Sequence, residues 1–378
     1  MLNLKQGFAH GFISGAFVFI ALFSLIVSST CSVQPASVAR KDYKKSWTVL
    51  VYMAADNDLE TSAPPNIKEM ELAGSGSNLD ILVYLARMSD STPSYPVLMH
   101  IQKNLSSNIV SPIIKSYPVQ DSCAASNIQS VLQYVFTEYP ATNTGVIFWS
   151  HGSGWIPKTF SPLSFGVDDS ANGDQTDIPD LNNALAGLRF SFIAFDACYM
   201  ADVETAYELR SRANYMMASQ TEILTTGFPY DKIFGYIGSN WNAPVKSVLD
   251  FSAQAYYQYY QTQAEDYLQS ASISVIDLSQ MESLASAFSN FMASAAAQAG
   301  YSSLVNIGNS VQSLSLLPAY SNVKFDMGDW INCIYGSVSN TPEYSRITNT
   351  YDQAVVYSAH TSLFMDTLSL SNVSGLSI

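Results

Sequence analysis

Four stretches of this chain are apolar at nearly every position rather than at alternate ones. They are residues 47–54 (WTVLVYMA), 80–86 (DILVYLA), 145–149 (GVIFW) and 190–195 (FSFIAF), and a shorter fifth follows at 215–218 (YMMA). Strands that are apolar on both faces belong in a sheet covered on both sides, which is the habit of parallel sheets. Helical periodicity fills the gaps. Ile67 and Met70 mark a short amphipathic stretch over 66–72, and Ile128, Val131, Leu132 and Val135 mark another over 127–136. Asp177 is placed to cap a helix through Leu181, Leu185 and Leu188, and residues 202–212 supply a fourth. Strand alternating with helix predicts an α/β fold with right-handed crossovers. Beyond Trp241 the strand texture fades, and 246–268 and 278–300 read as helices. The expected organisation is an α/β domain over 47–240, followed by a helix-rich region over 241–378.

The first thirty residues have a different character. Lys5 is the only Lys or Arg before Arg40, and residues 12–27 form a sixteen-residue apolar run. A charged start, an apolar core and small residues after it predict a secretory signal over 1–30; a membrane span needs roughly 20 apolar residues. Cys31 follows in VSSTC, which resembles a bacterial lipoprotein box in which the Cys is lipidated. Ser28 and Thr30 depart from that box, and ordinary cleavage after Ser37-Val38-Ala39 is the alternative. Residues 31–46 read as a polar tether, and the protein is expected to be exported, lipid-anchored in the cell envelope or secreted.

Composition narrows the partners. Of 378 residues, 31 are acidic and 17 are Lys or Arg, for a formal charge of −14. Such a chain repels phosphate backbones, which excludes nucleic acid as a partner. Four Cys are too few for a disulfide scaffold. Cys123 and Cys333 read as packing residues or as a disulfide pair.

In open α/β sheets, ligands gather beyond the carboxyl ends of the strands. Two of these ends carry reactive side chains: Ser150-His151-Gly152-Ser153-Gly154 after the third run, and Asp196-Ala197-Cys198 after the fourth. The separation of 47 residues from His151 to Cys198 suffices for a loop, a helix and a return strand. If the two strands are neighbours, imidazole and thiol emerge together. A thiol needs a base to become a thiolate near neutral pH. Gly152 lets backbone approach a substrate, and its amide, with that of Cys198, is a candidate oxyanion donor. The serine-esterase alternative fails because no Gly flanks the nucleophile at the elbow positions. His100 and His360 follow no strong strand.

These segments resemble the clostripain family of cysteine endopeptidases. WTVLVYMAADNDLE, GVIFWSHGSGW, FGVDDSANGD, FSFIAFDACYMADVETAYEL and MMASQTE…TGFPY carry the resemblance, with weaker echoes in SVIDLSQMESL, FDMGDW and GLSI. It covers residues 47–378. It implies a caspase-like three-layer α/β/α sandwich with a mostly parallel sheet, and His151 and Cys198 as a catalytic dyad acting on protein or peptide. It also implies cleavage after Arg or Lys, with Asp196 lining the pocket for that side chain. Relatives often carry an acid immediately before Gly227, where this chain has Thr226; Glu222 is the candidate substitute. Some relatives mature by self-cleavage and respond to calcium, which makes Lys158 the expected processing point. No organic cofactor is implied, and calcium stands as a family property only. Asp168, Ser170, Asn172 and Gly173 match the start of a calcium loop, but Pro179 stands where its closing Glu belongs, so an Asx-rich turn is expected there. The chain stops at Ile378 inside a strand-like segment, which reads as a truncated product. Thr226 and the low charge motivate a second reading, a catalytically inactive caspase-like surface lipoprotein that binds peptide or protein.

Overall fold

The computed structural model describes residues 44–378 apart from 89–90, 92, 156–163, 301–303, 305–309, 315–322 and 339–341. The expected signal, Cys31 and Lys158 lie outside the described residues.

The apolar runs form strands in the middle of one sheet. β1 (Lys45–Ala55), β2 (Leu79–Arg87), β5 (Ala141–Trp149), β8 (Phe190–Asp196) and β9 (Ala213–Ala218) run parallel. Shorter antiparallel strands close both sides. On one are β3 (Val97–His100) and β4 (Ile113–Ser116); on the other are β10 (Ser272–Asp277) and β11 (Val355–His360). The order is β11-β10-β9-β8-β5-β1-β2-β3-β4. A hairpin of β6 (Phe165–Asp168) and β7 (Asp174–Thr176) stands outside this sheet.

Side-chain alternation explains why β1 is apolar throughout. Leu50, Tyr52 and Ala54 enter one core, while Val49, Val51 and Met53 enter the other. The first core is covered by α2 (Ala125–Glu138), α3 (Ile178–Ala184), α4 (Val203–Leu209), α7 (Met281–Ala299), α8 (Met327–Ser337) and α9 (Pro342–Ala354). The second is covered by α1 (Ala63–Ala73), α5 (Tyr230–Ser239) and α6 (Val245–Gln261). The result is the expected three-layer sandwich. Each fully buried Val, Leu or Ile contributes about 1.5–3 kcal/mol, so both faces of β1 stabilise the fold. Gly145 in β5 is required sterically, since a Cβ there would lie 2.3 Å from the Phe192 ring of β8.

Several boundaries differ from the expectation. The tether ends two residues early, because Lys45 pairs with Ala141 and its ammonium reaches Asp80 at 2.8 Å. The texture change near Trp241 marks no break: β10 and β11 extend the same sheet, and residues 44–378 form one compact unit. β10 escaped detection because its Ser272 and Ser274 are buried, their hydroxyls bonded to Ser219 Oγ, the Gln220 amide and the Gly375 carbonyl. Helix α6 stops at Gln261, and α3 ends before Leu188. Residues 376–378 are bonded on both sides, Ser377 bridging Asp202 and Asp326. Cys123, Cys198 and Cys333 are free thiols, so the Cys123–Cys333 disulfide does not form. Among the described residues no helix is long and apolar enough to cross a membrane.

Candidate active site

β5 lies between β1 and β8, and register aligns Met53, Trp149 and Asp196 across the three strands. Their carboxyl ends therefore open onto one place. His151 leaves β5 and Cys198 leaves β8 as neighbours around a cavity of about 180 Å³, walled also by Leu59, Trp149, Ile223 and Leu224.

The end of β1 contributes a residue to which the sequence analysis gave no separate role. Asn57, fully buried, donates to the carbonyls of Ala54 and Val167 and to Ser150 Oγ, and accepts from the Leu59 amide. That knot fixes the turn carrying Asp58, whose Oδ1 lies 2.6 Å from His151 Nε2. An ionised carboxylate only accepts, so facing one Nε2 acts as the donor, and Nδ1 is the other ring nitrogen. The signal was available: Asp58 follows a central strand of the same sheet, on the same edge as His151.

The thiol is turned elsewhere. Cys198 Sγ accepts from the Ile223 amide at 3.3 Å and lies 3.8 Å from the Ile223 carbonyl. Among the described residues no hydrogen bond joins it to His151. Burial pushes the Cys198 thiol up to about 12, with the nearby Glu222 and Asp196 carboxyls adding to the shift. In this resting arrangement the sulfur keeps its proton, and a thiolate forms only when a base takes it.

Backbone geometry around the sulfur is tight. Tyr199, the next residue, holds a left-handed φ of 61° and is pinned by its amide to the Thr221 carbonyl at 2.9 Å. A Cβ on Gly152 would stand 2.6 Å from the Cys198 carbonyl, so glycine alone lets the two loops touch. Among the described residues, neither the Gly152 amide nor the Cys198 amide donates to a backbone carbonyl in a turn, loop or cap.

Asp196 forms part of the cavity wall. Its Oδ2 accepts from the Tyr230 hydroxyl at 2.7 Å and the Phe228 amide at 3.1 Å, yet burial still lifts it to about 6. Glu222 lies on the same wall. Burial raises its pKa, the Tyr199 hydroxyl opposes that shift, and its buried Oε2 has no hydrogen-bond partner among the described residues. Thr226 is not brought into the cavity. Its side chain is exposed and its carbonyl accepts from Asn66 Nδ2 at 2.9 Å, while Thr225 and Gly227 line the wall. Gly227, at φ 70°, makes the turn that rotates Thr226 outward. Asn66 in turn accepts from Trp149 Nε1 at 2.9 Å, tying α1 to the cavity wall.

Residues 168–173 form an Asx-rich turn. Asp168 is buried, and its oxygens accept from the Ala171 amide and from the amide and hydroxyl of Ser122. Asn172 and Gly173 make the left-handed hairpin turn, so this segment is an Asx turn anchored in the core. Among the described residues no cluster of three or more His, Cys, Asp or Glu is arranged to hold a metal ion.

Comparison with known proteins agrees with this geometry. The chain is 25% identical over 233 residues to clostripain of Hathewaya histolytica; the match covers 54% of the chain and 44% of clostripain, less than half of that protein's length. A secreted C11 cysteine protease from Bacteroides thetaiotaomicron, solved with an irreversible peptide inhibitor, superposes with a TM-score of 0.71 at 29% identity, covering 88% of this chain and 92% of that one. An inactive zymogen C11 protease from Parabacteroides distasonis gives a TM-score of 0.69 at 26% identity, covering 89% and 92%. The clostripain family model matches residues 51–376. By that match, which takes in every strand end described above, the chain belongs to the clostripain family.

Proposed function

We propose that this protein is an exported cysteine endopeptidase in which Cys198 is the nucleophile and His151 the base. One observation carries the reading: an imidazole and a thiol stand on adjoining strand ends, around a cavity that includes a buried carboxylate. The thiol swings from Ile223 toward His151, whose Nδ1 takes its proton as sulfur bonds to the scissile carbonyl carbon. The amides of Gly152 and Cys198 hold the oxyanion. Collapse of the tetrahedral species breaks the C–N bond, and the imidazolium returns the proton to the leaving amine. Water, deprotonated by His151, then releases the acyl group. Asp58 keeps the ring in the required tautomer. Asp196 and Glu222 favour a cationic side chain before the scissile bond, hence Arg or Lys, and Thr226 takes no part. Export fits the apolar leader over residues 1–30, with Cys31 as the lipid attachment point, and with a secreted relative. Lys158 is the proposed processing point.

A second reading, a surface lipoprotein that holds peptide without cutting it, is favoured by the thiol's bond to Ile223 rather than to His151. A fluorogenic panel varying the residue before the scissile bond, run on the protein and on Cys198→Ala with and without calcium, separates the two. Turnover confined to Arg and Lys peptides and lowered at least about ten-thousandfold in the variant is expected. A folded wild type that binds the peptides and cuts none selects the second reading.

A further inference from the structure

Beneath the two loops lies a buried ion pair that neither the motifs nor the proposed chemistry uses. Lys324 and Asp202 are both fully buried, with Nζ 3.5 Å from Oδ2. Removing two charges from water costs several kcal/mol per ion unless further hydrogen bonds compensate, so what these groups touch is informative. Asp202 Oδ1 caps α4 through the Thr205 amide, and Oδ2 accepts from the Trp155 amide at 3.2 Å. Lys324 Nζ donates to the Tyr199 carbonyl at 3.4 Å. The pair converges on Gly154, where a Cβ would lie 1.9 Å from Asp202 Oδ2, 2.6 Å from the Tyr199 carbonyl and 2.8 Å from Lys324 Nζ.

Each of these contacts falls close to one of the two amides assigned to the oxyanion. Trp155 is three residues after Gly152, and Tyr199 directly follows Cys198. Tyr199 also sits at a left-handed φ that a bulky residue adopts only when its surroundings enforce it, and its peptide groups are held at both ends, by Thr221 and by Lys324. We infer that Lys324, paired with Asp202, is a positioning residue that sets the distance between the Gly152 and Cys198 amides. It touches neither sulfur nor imidazole, and acts through the Tyr199 carbonyl and, by way of Asp202, the Trp155 amide. Lys324 lies in the C-terminal region, two residues before Asp326, which binds Gln220 at 3.0 Å and bridges to Ser377. The C-terminal region therefore takes part in setting the site.

This inference rests on the proposed acyl-transfer reading, and its test separates the two. Wild type, Lys324→Met and Lys324→Met with Asp202→Asn are compared by peptide turnover, by the rate of Cys198 alkylation with iodoacetamide, and by thermal melting. Alkylation is a direct displacement that needs an accessible sulfur and no oxyanion site, whereas peptide cleavage needs both. Lys324→Met should lower kcat roughly tenfold to a hundredfold, less than deletion of an oxyanion donor, with KM and the alkylation rate within about twofold of wild type. The single variant leaves Asp202 buried and unpaired and should melt lower; the double variant removes that charge, recovers melting temperature and stays slow on peptides. Turnover undiminished in Lys324→Met overturns the inference, as does turnover that falls in step with alkylation or returns with stability in the double variant. Wild type that alkylates at Cys198 and cleaves nothing overturns the acyl-transfer reading instead.

Discussion

Glu71 and Asp196 are both carboxylates sealed from water, and they have opposite fates. Glu71 sits on α1 against the segment linking β3 to β4, where Oε1 accepts from the amides of Val110 and Ser111 and the Ser111 hydroxyl, and Oε2 accepts from Lys68 and Asn104. Burial pushes it up, but these five donors outweigh burial and hold it down to about 2. Asp196, at the end of β8, has two donors, both on Oδ2, and burial lifts it to about 6. Depth of burial and number of donors together decide the sign. A fully satisfied carboxylate fixes a loop. The one with fewer donors lines the cavity.

The sharpest way to break that contrast is Asp196→Asn. It should cost roughly a hundredfold in kcat/KM for Arg or Lys peptides and leave neutral peptides little changed, since a charge-assisted bond in a dry pocket is lost. The pH dependence adds a signature. Below about 6 Asp196 is protonated and attracts no cation, so KM for Lys peptides should climb as pH falls through 6 in wild type and stay flat in the variant. Glu71→Gln comes next, at about 2 kcal/mol of stability by urea denaturation with activity kept. Because the folded pKa lies below the unfolded value, the stability from ionised Glu71 is complete above roughly 4.3 and disappears as pH falls through about 2; the variant should lack that slope. Asp58→Asn should lower kcat about tenfold with KM unchanged, less than a buried triad acid, because Asp58 is 83% exposed. Ser111→Ala, which deletes one of five donors, should cost about 1 kcal/mol and shift the Glu71 titration upward by less than its full depression.

Legibility in the sequence followed burial pattern. β1, β2, β5, β8 and β9 could be read because both of their faces are apolar. β3, β4, β6 and β7 are four residues or shorter, too short for a period to show, and β10 buries serines that only hydrogen-bond partners make tolerable. His151 and Cys198 could be placed together because adjacent parallel strands end on one edge. Asp58 could have been placed by the same rule applied to β1. Thr226 was assigned by analogy with relatives, and the turn at Gly227 puts its side chain outside the cavity. Lys324 had no local signal at all: its partner is 122 residues away, and nothing in the segment around it marks it as buried.

The strand order also sets a timetable. β1 is a hub, pairing with β2 near it in sequence and with β5 some ninety residues on, and β8 lies between β5 and the later β9. Chain emerging from synthesis can assemble β1 to β5, with the imidazole loop hanging from its open side, before the thiol has been made. The last sheet partner, β11, lies beyond residue 354, and such non-local pairings close slowly. Thiol and imidazole become neighbours once β8 docks on β5, whereas Lys324 and Ser377, which bond to the segment following Cys198, are added long afterwards.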